Sequence, residues 1–321
     1  MLFNFVAACL STITLHEIDD TSNRVYRCER NKTLHLIRHA EGWHNIDELM
    51  AERDELHKTH PQGHLRAEFG IAWILLKQVS GEKYHDPLLT PKGREQAYAL
   101  RSRLRAETDF IVDAVALSPM RRTIETALLA LPQLEAAVTS VRLNDPRSND
   151  SPTTLPAPAL LATDLLRERC AHFQPDSRLL RSELEREYSG LNSNVTIDFS
   201  AISEEDKLFH DGQERWEPEV GSALLASRAM KALRWLADLP REYARIAVVS
   251  HKHFLGALVS TSLMGAAQRP FENCEKRTVL LCDERPPLPR DAALDAQSEM
   301  IGASKLSDSK LQGQGNLKDE P

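Results

Sequence analysis

The chain has 321 residues, 41% of them hydrophobic, and a formal charge of −7 from 40 basic and 47 acidic side chains. That hydrophobic share is enough for a sizeable core and excludes global disorder. The acid excess excludes a nucleic-acid surface that works by bulk positive charge, but not a small local cluster of arginines for an anionic ligand.

In chain order, the first 15 residues, "MLFNFVAACLSTITL", are apolar but lack the basic start of a secretory signal. They are also shorter than the roughly 20 residues that span a bilayer. Residues 1–32 are therefore expected to be an N-terminal arm or an added strand, and no membrane partner is expected. A strand is predicted over 33–38, followed by an insertion over about 46–88 whose segment 57–64 is polar and broken by Pro61. Thr90 is a good N-cap and Pro91 suits the first helical position, so a helix is predicted over 91–107. A strand over 111–117 and a helix over 120–131 come next. Residues 144–158, rich in Asn, Asp, Ser, Thr and Pro, read as a loop. Leu224, Leu225, Met230, Leu233 and Leu236 recur at helical spacing, which predicts a helix over 221–239 that stops before Pro240. A strand over 245–250, a helix over 254–264 and a strand over 277–282 complete a domain spanning 33–285. Residues 286–321 are polar and aperiodic and are expected to form a flexible tail.

Near-continuous apolar strands alternating with helices predict an α/β fold, a three-layer sandwich with a mostly parallel central sheet and helices on both faces. Ligands in such folds sit beyond the carboxyl ends of the strands. Three strand ends carry chemistry there: Arg38-His39 after the first, Ser118-Pro119 with Arg121-Arg122 after the second, and His251 after the third. If these strands are neighbours, two arginines and two histidines meet. Guanidinium forks match phosphoryl oxygens, an imidazole is a nucleophile near neutral pH, and a helix start adds free N–H groups.

The motifs "RHAE" (38–41), "LTPKGREQA" (89–97), "SPMRRTIETA" (118–127) and "VVSHKHF" (248–254) occur in that order. With them the chain resembles the histidine phosphatase superfamily, the phosphoglycerate-mutase-like fold. "RHAEGWHN", "LRERC", "DSRLLRSELEREY" and "ENCEKRTVLL" are similar to its plant and fungal phosphoglycerate-mutase-like phosphatases, over about residues 33–283. Ala40 stands where Gly is commoner, and Lys252 follows His251 where a small residue is usual. The resemblance implies His39 as the nucleophile that becomes a phosphohistidine. Arg38 and Arg122 would hold the equatorial oxygens, with His251 donating to them and Asn45 lining the pocket. Glu168 would be the general acid, passing a proton to the leaving oxygen and later drawing one from water.

Competing assignments stay open at this level. Arg121 competes with Arg122, and His253 with His251. Glu183, Glu185 and Glu187 compete with Glu168, Asp176 and Arg178 are either substrate gates or surface-loop residues, and His44 either packs or contacts ligand. His35 reads as a structural histidine within a strand. Neither His35, His39 and His44 nor His57, His60 and His64 has metal-ligand spacing, so no metal and no cofactor is expected. The five cysteines (Cys9, Cys28, Cys170, Cys274, Cys282) contain no C-x-x-C pair, so neither a zinc knuckle nor a disulfide framework is expected and a cytoplasmic, reducing setting is. The expected activity is a phosphatase acting on a small phosphorylated substrate. Its rivals are a phosphoglycerate mutase and a catalytically silent phospholigand-binding protein. Oligomeric state is left open.

Overall fold

The computed structural model describes residues 13–17, 28, 30–45, 85–107, 110–138, 156–170, 174–191, 195–211, 218–262 and 269–284. The insertion from 46 to 84, with His57, His60 and His64, the loop residues 144–155 and the tail from 285 lie outside them. The chain divides into two units, Met1–Asp283 and Glu284–Pro321, and all strands and helices among the described residues lie in the first.

Seven strands make one sheet: β1 (Ile13–Glu17), β2 (Asn31–Arg38), β3 (Ala114–Leu117), β4 (Ala159–Thr163), β5 (Ile197–Ala201), β6 (Arg245–Ser250) and β7 (Lys276–Asp283). Their order is β1-β7-β2-β6-β3-β4-β5. The five strands from β2 to β5 in that order pair in parallel. β7 runs antiparallel to β2 and to β1. The helices are α1 (Pro91–Ala106), α2 (Arg121–Ala130), α3 (Glu135–Val138), α4 (Arg181–Tyr188), α5 (Lys207–Asp211), α6 (Pro218–Asp238) and α7 (Lys252–Ser262).

Period-two side-chain alternation divides the sheet's residues between two cores. Ile37, Val115, Leu117, Leu160, Ala247 and Val249 pack with Tyr98, Leu100 and Leu104 of α1 and Ile124 and Leu128 of α2. Leu34, Leu36, Ala116, Ile246 and Val248 pack with Leu225, Leu233 and Leu236 of α6 and Phe254 and Leu258 of α7. Two helical layers thus cover opposite faces, which is the three-layer arrangement expected. Each fully buried Leu, Ile or Val on these strands contributes roughly 1.5–3 kcal/mol. α1 begins where its cap dictates, with Thr90 Oγ1 accepting the Gly93 N–H at 2.9 Å.

The differences from expectation are informative. β3 is shorter than 111–117 because Gln133 takes both backbone groups of Val112, at 2.9 and 3.0 Å. α7 starts at Lys252 rather than at 254, so His251 sits directly at its start and accepts from Leu255 N at 2.9 Å. Of the two readings of residues 1–32, arm or added strand, the described residues show a strand, β1, paired with β7. β4 and β5 were missed altogether. Both are five residues long and lie towards or at the sheet's edge, too short for a periodic signal.

Candidate active site

β2, β6 and β3 are adjacent and parallel, and their registers end together: Arg38 pairs with Ser250, and Leu117 with Val249. The chain beyond each end is pinned by one more ladder bond, His39 N to Ser250 O at 2.9 Å and Ser118 N to Val249 O at 3.1 Å. This places the His39 and His251 rings edge-on with centroids 5.0 Å apart. Arg122, in the first turn of α2, donates from Nη2 towards His251 Nδ1 at 3.3 Å. Since guanidinium only donates, that Nδ1 carries no proton, and His251 Nε2–H donates to Ser118 Oγ at 2.8 Å. His39 Nδ1 lies 2.6 Å from the Ala40 carbonyl, which only accepts, so Nδ1 carries the proton and Nε2 keeps its lone pair.

Electrostatics favours an anion here. Burial first, then the charges of Arg122 and Arg38, hold His39 well below the usual imidazole range. Burial, Arg122 and His39 do the same to His251. Both are neutral at neutral pH. Arg38 gives Nη1 to Phe271 O at 2.8 Å. Arg122 gives Nη1 to Pro175 O at 2.6 Å and Nη2 to Asp176 Oδ1 at 3.1 Å. The Nε atoms of both arginines are buried without a hydrogen-bond partner. An unsatisfied buried donor costs about 1–3 kcal/mol, a cost that a bound anion removes.

The carboxylate wall is less regular. Glu168 accepts from Arg169 N at 2.8 Å, Phe254 N at 3.1 Å, and His253 N and Nδ1 at 3.2 Å each. Those four donors fill the approximately four lone-pair sites of a carboxylate. Burial would raise its pKa, but the hydrogen bond and charge of His253 and the backbone donors prevail and bring it down to about 2. Asp176 behaves oppositely. Burial, aided by the charge of Glu168 and opposed by Arg122, raises it to about 6.

Three buried arginines hold this wall. Arg167 is closed on Asp206 and on the Asp176 carbonyl. Arg178 spans Asp164, at 3.0 Å from Nε, and the carbonyls of Ser203 and Glu205. Arg228 donates to the carbonyls of Leu165, Arg167 and Glu168 and stacks over Phe254 at 5.0 Å.

The sequence profile of the histidine phosphatase superfamily (branch 1) matches residues 75–145. The chain is 30% identical over 282 residues to a phosphoglycerate mutase-like protein of Arabidopsis thaliana, covering 83% of this chain and 90% of that one. The chain belongs to the histidine phosphatase superfamily. It is also 26% identical over 312 residues to the Arabidopsis phosphoglycerate mutase-like protein 2, across 86% of this chain and 82% of the relative.

The superfamily signatures have physical readings in the structure. Gly93 of "LTPKG" is required by close approach, since a Cβ there would lie 2.0 Å from Glu41 O. Thr90 donates to Glu41 Oε1 at 2.8 Å, which fixes the chain just past His39. Thr126 of "RRTIETA" accepts from Ala40 N at 3.0 Å and donates to Arg122 O at 2.7 Å, tying β2's end to α2.

Each competing candidate has a defined place in the structure. Arg121 gives Nε to Asp86 O at 2.7 Å and Nη2 to His85 O at 3.1 Å, so it ties down residues 85 and 86, while Arg122, one helical step away, meets His251. His253 holds Glu168 rather than His39. Glu183 caps α4 by accepting Leu180 N, Glu185 pairs with Arg181, and Glu187 with Arg121. Arg178 is structural, while Asp176 touches Arg122. Lys252 is half-buried at the start of α7. His35 bonds Thr278 Oγ1 at 3.1 Å, and burial with the nearby Lys276 and Arg245 lowers it to about 4. Asn45 Oδ1 accepts Gly42 N at 3.2 Å. His44 lies 5.5 Å from His39 ring to ring, its Nδ1 buried and unpartnered. No three His, Cys, Asp or Glu side chains among the described residues are grouped to hold a metal ion. No described helix is long and apolar enough to cross a membrane. The sequence reading missed Ser118 as the partner of His251, and Arg167, Arg228 and Asp206 as the frame of the wall. Ser118 and Arg167 lie inside "SPMRRTIETA" and "LRERC" without an assigned role, and no motif marked Arg228 or Asp206.

Proposed function

We propose that this chain is a phosphatase that removes the phosphoryl group from a small phosphomonoester through a phosphohistidine on His39. The observation that carries this reading is the pair of buried, unpartnered guanidinium donors, Arg38 Nε and Arg122 Nε, beside the free Nε2 lone pair of His39. His39 Nε2 attacks phosphorus in line, and its Nδ1–H stays on the Ala40 carbonyl so that the ring is oriented throughout. Arg38 and Arg122 take the equatorial oxygens, where charge must be held in the transition state. His251 keeps the Arg122 fork in place, and its Nε2–H, resting on Ser118, exchanges to a phosphoryl oxygen. The Asn45 amide group completes the oxygen shell. Release follows when water attacks the phosphohistidine.

A second reading, transfer of the phosphoryl group back to a bound acceptor, is favoured by the mutase-like names of the Arabidopsis relatives. A panel of phosphorylated metabolites separates the two. Inorganic phosphate released by the wild type and lost in His39→Ala is expected for the phosphatase. Interconversion of phosphoglycerates without phosphate release supports the mutase.

A further inference from the structure

We propose that Asp176, rather than Glu168, is the carboxyl group that moves the proton in this reaction; the inference rests on the phosphatase reading above. Of the described residues, Glu168 and Asp176 are carboxyl groups at the site, and their surroundings separate them. Glu168 has an N–H donor on every lone-pair site, two on each oxygen. A proton added to it would face one of those donors and forfeit a charge-assisted bond. Asp176 has one oxygen on Arg122 Nη2 and, among the described residues, no hydrogen bond on the other. Its side chain is 11% exposed. The free oxygen is therefore able to carry a proton and to meet a ligand atom.

The position is also fixed. Asp176 ends a single 3-10 turn, Gln174–Asp176, whose carbonyls at 175 and 176 are gripped by Arg122 and Arg167. A phosphoryl oxygen bound to the Arg122 guanidinium at ordinary hydrogen-bond length lies within roughly 6 Å of the Asp176 oxygen that shares it. A side-chain rotation covers that span. Arg122 and Arg167 face Asp176 with positive charge, Glu168 with negative charge, and His253 with the charge it shares with Glu168. Glu168 is thus a positioning residue: its fixed negative charge opposes a second one on Asp176, as like charges do.

Atoms and electrons balance in both half-reactions. His39 Nε2 forms the N–P bond while the P–O bond to the leaving group breaks, and the electron pair stays on the leaving oxygen. That oxygen takes the Asp176 proton, and the resulting carboxylate pairs with Arg122. In the second half, Asp176 takes a proton from water as the water oxygen bonds to phosphorus. The N–P pair returns to Nε2, leaving inorganic phosphate and protonated Asp176.

The test uses the full chain and two probes, phenyl phosphate, whose leaving oxygen needs a proton, and 2,4-dinitrophenyl phosphate, whose leaving oxygen does not. Asp176→Asn is expected to lower kcat/KM for phenyl phosphate roughly 10²–10³-fold, while the dinitrophenyl ester stays within about tenfold of wild type, which also shows that the variant is folded. Glu168→Gln removes the charge that opposes ionisation of Asp176, so its loss on phenyl phosphate is expected to be recovered at lower pH, with the dinitrophenyl ester little affected. Equal loss on both probes in Asp176→Asn, or a loss on phenyl phosphate in Glu168→Gln that lower pH does not recover, overturns this proposal alone. A wild type that turns over neither probe overturns the phosphatase reading, and this proposal with it.

Discussion

The floor of the site and its carboxylate wall are built differently. On the floor, Arg38, His39, Arg122 and His251 each sit within two residues of a regular element's end; strand register aligns the ends of β2, β6 and β3, and Thr126 ties α2, with Arg122, to the end of β2. The described residues of the wall, 163–170 and 174–178, have one five-residue strand end and two 3-10 turns. Its shape comes from Arg167, Arg178 and Arg228 reaching backbone carbonyls and aspartates. A floor made of ladder bonds tolerates side-chain change without moving. A wall made of buried ion pairs does not, because removing one partner leaves the other charged and dry.

That contrast is open to attack at several strengths. Arg167→Met should be the most damaging to folding. It strips the buried Asp206 of its cation and the Asp176 carbonyl of its donor, at a cost of about 3–5 kcal/mol in urea unfolding; a loss near zero would mean the wall does not depend on this ion pair. Arg122→Ala tests the floor. Steady-state kinetics should show kcat/KM for a phosphomonoester falling roughly 10²–10³-fold, in the range of a lost oxyanion donor, whereas an unchanged rate would remove Arg122 from the proposed machinery.

The smallest effect concerns the Glu168–His253 pair at the rim of the wall. Glu168 is lowered from its ordinary 4.5 to about 2, so its contribution to stability is full above pH 4.5 and fades as pH falls towards 2. His253 is raised above its ordinary 6.5 by the hydrogen bond and charge of Glu168, so its contribution is full below 6.5 and fades as pH rises through the higher folded value. Wild type should therefore exceed His253→Ala in unfolding free energy most clearly between pH 4.5 and 6.5. The margin should be at most about 1 kcal/mol, because the imidazole is more than half exposed. A margin constant from acid to alkaline pH would contradict the pairing.

The same contrast explains what was legible in the sequence. β2 and β6 are near-continuous apolar runs ending in charged or imidazole residues, so both the strands and the meeting of the residues at their tips could be read directly. The choice of Arg122 over Arg121 rested on the family spacing alone; adjacent helical residues diverge by about 100°, and the coordinates show Arg122 meeting His251. β4 and β5 were hidden by their length, and Asp206 and Arg228 by distance, since each binds partners 28 or more residues away. The division of labour between Glu168 and Asp176 was hidden for another reason. It depends on how many donors each carboxylate meets, and no spacing rule encodes a count of backbone N–H groups.

The central claim is that strand register delivers a free imidazole nitrogen to a phosphoryl group held by two guanidinium forks. The most direct measurement is to quench the wild-type enzyme during turnover of a 32P-labelled phosphomonoester under alkaline conditions, which preserve phosphohistidine, and to map the label by peptide mass spectrometry. The expected result is one phosphoryl group on His39, absent in His39→Ala. Label on another residue, or turnover by His39→Ala at the wild-type rate, would contradict the claim.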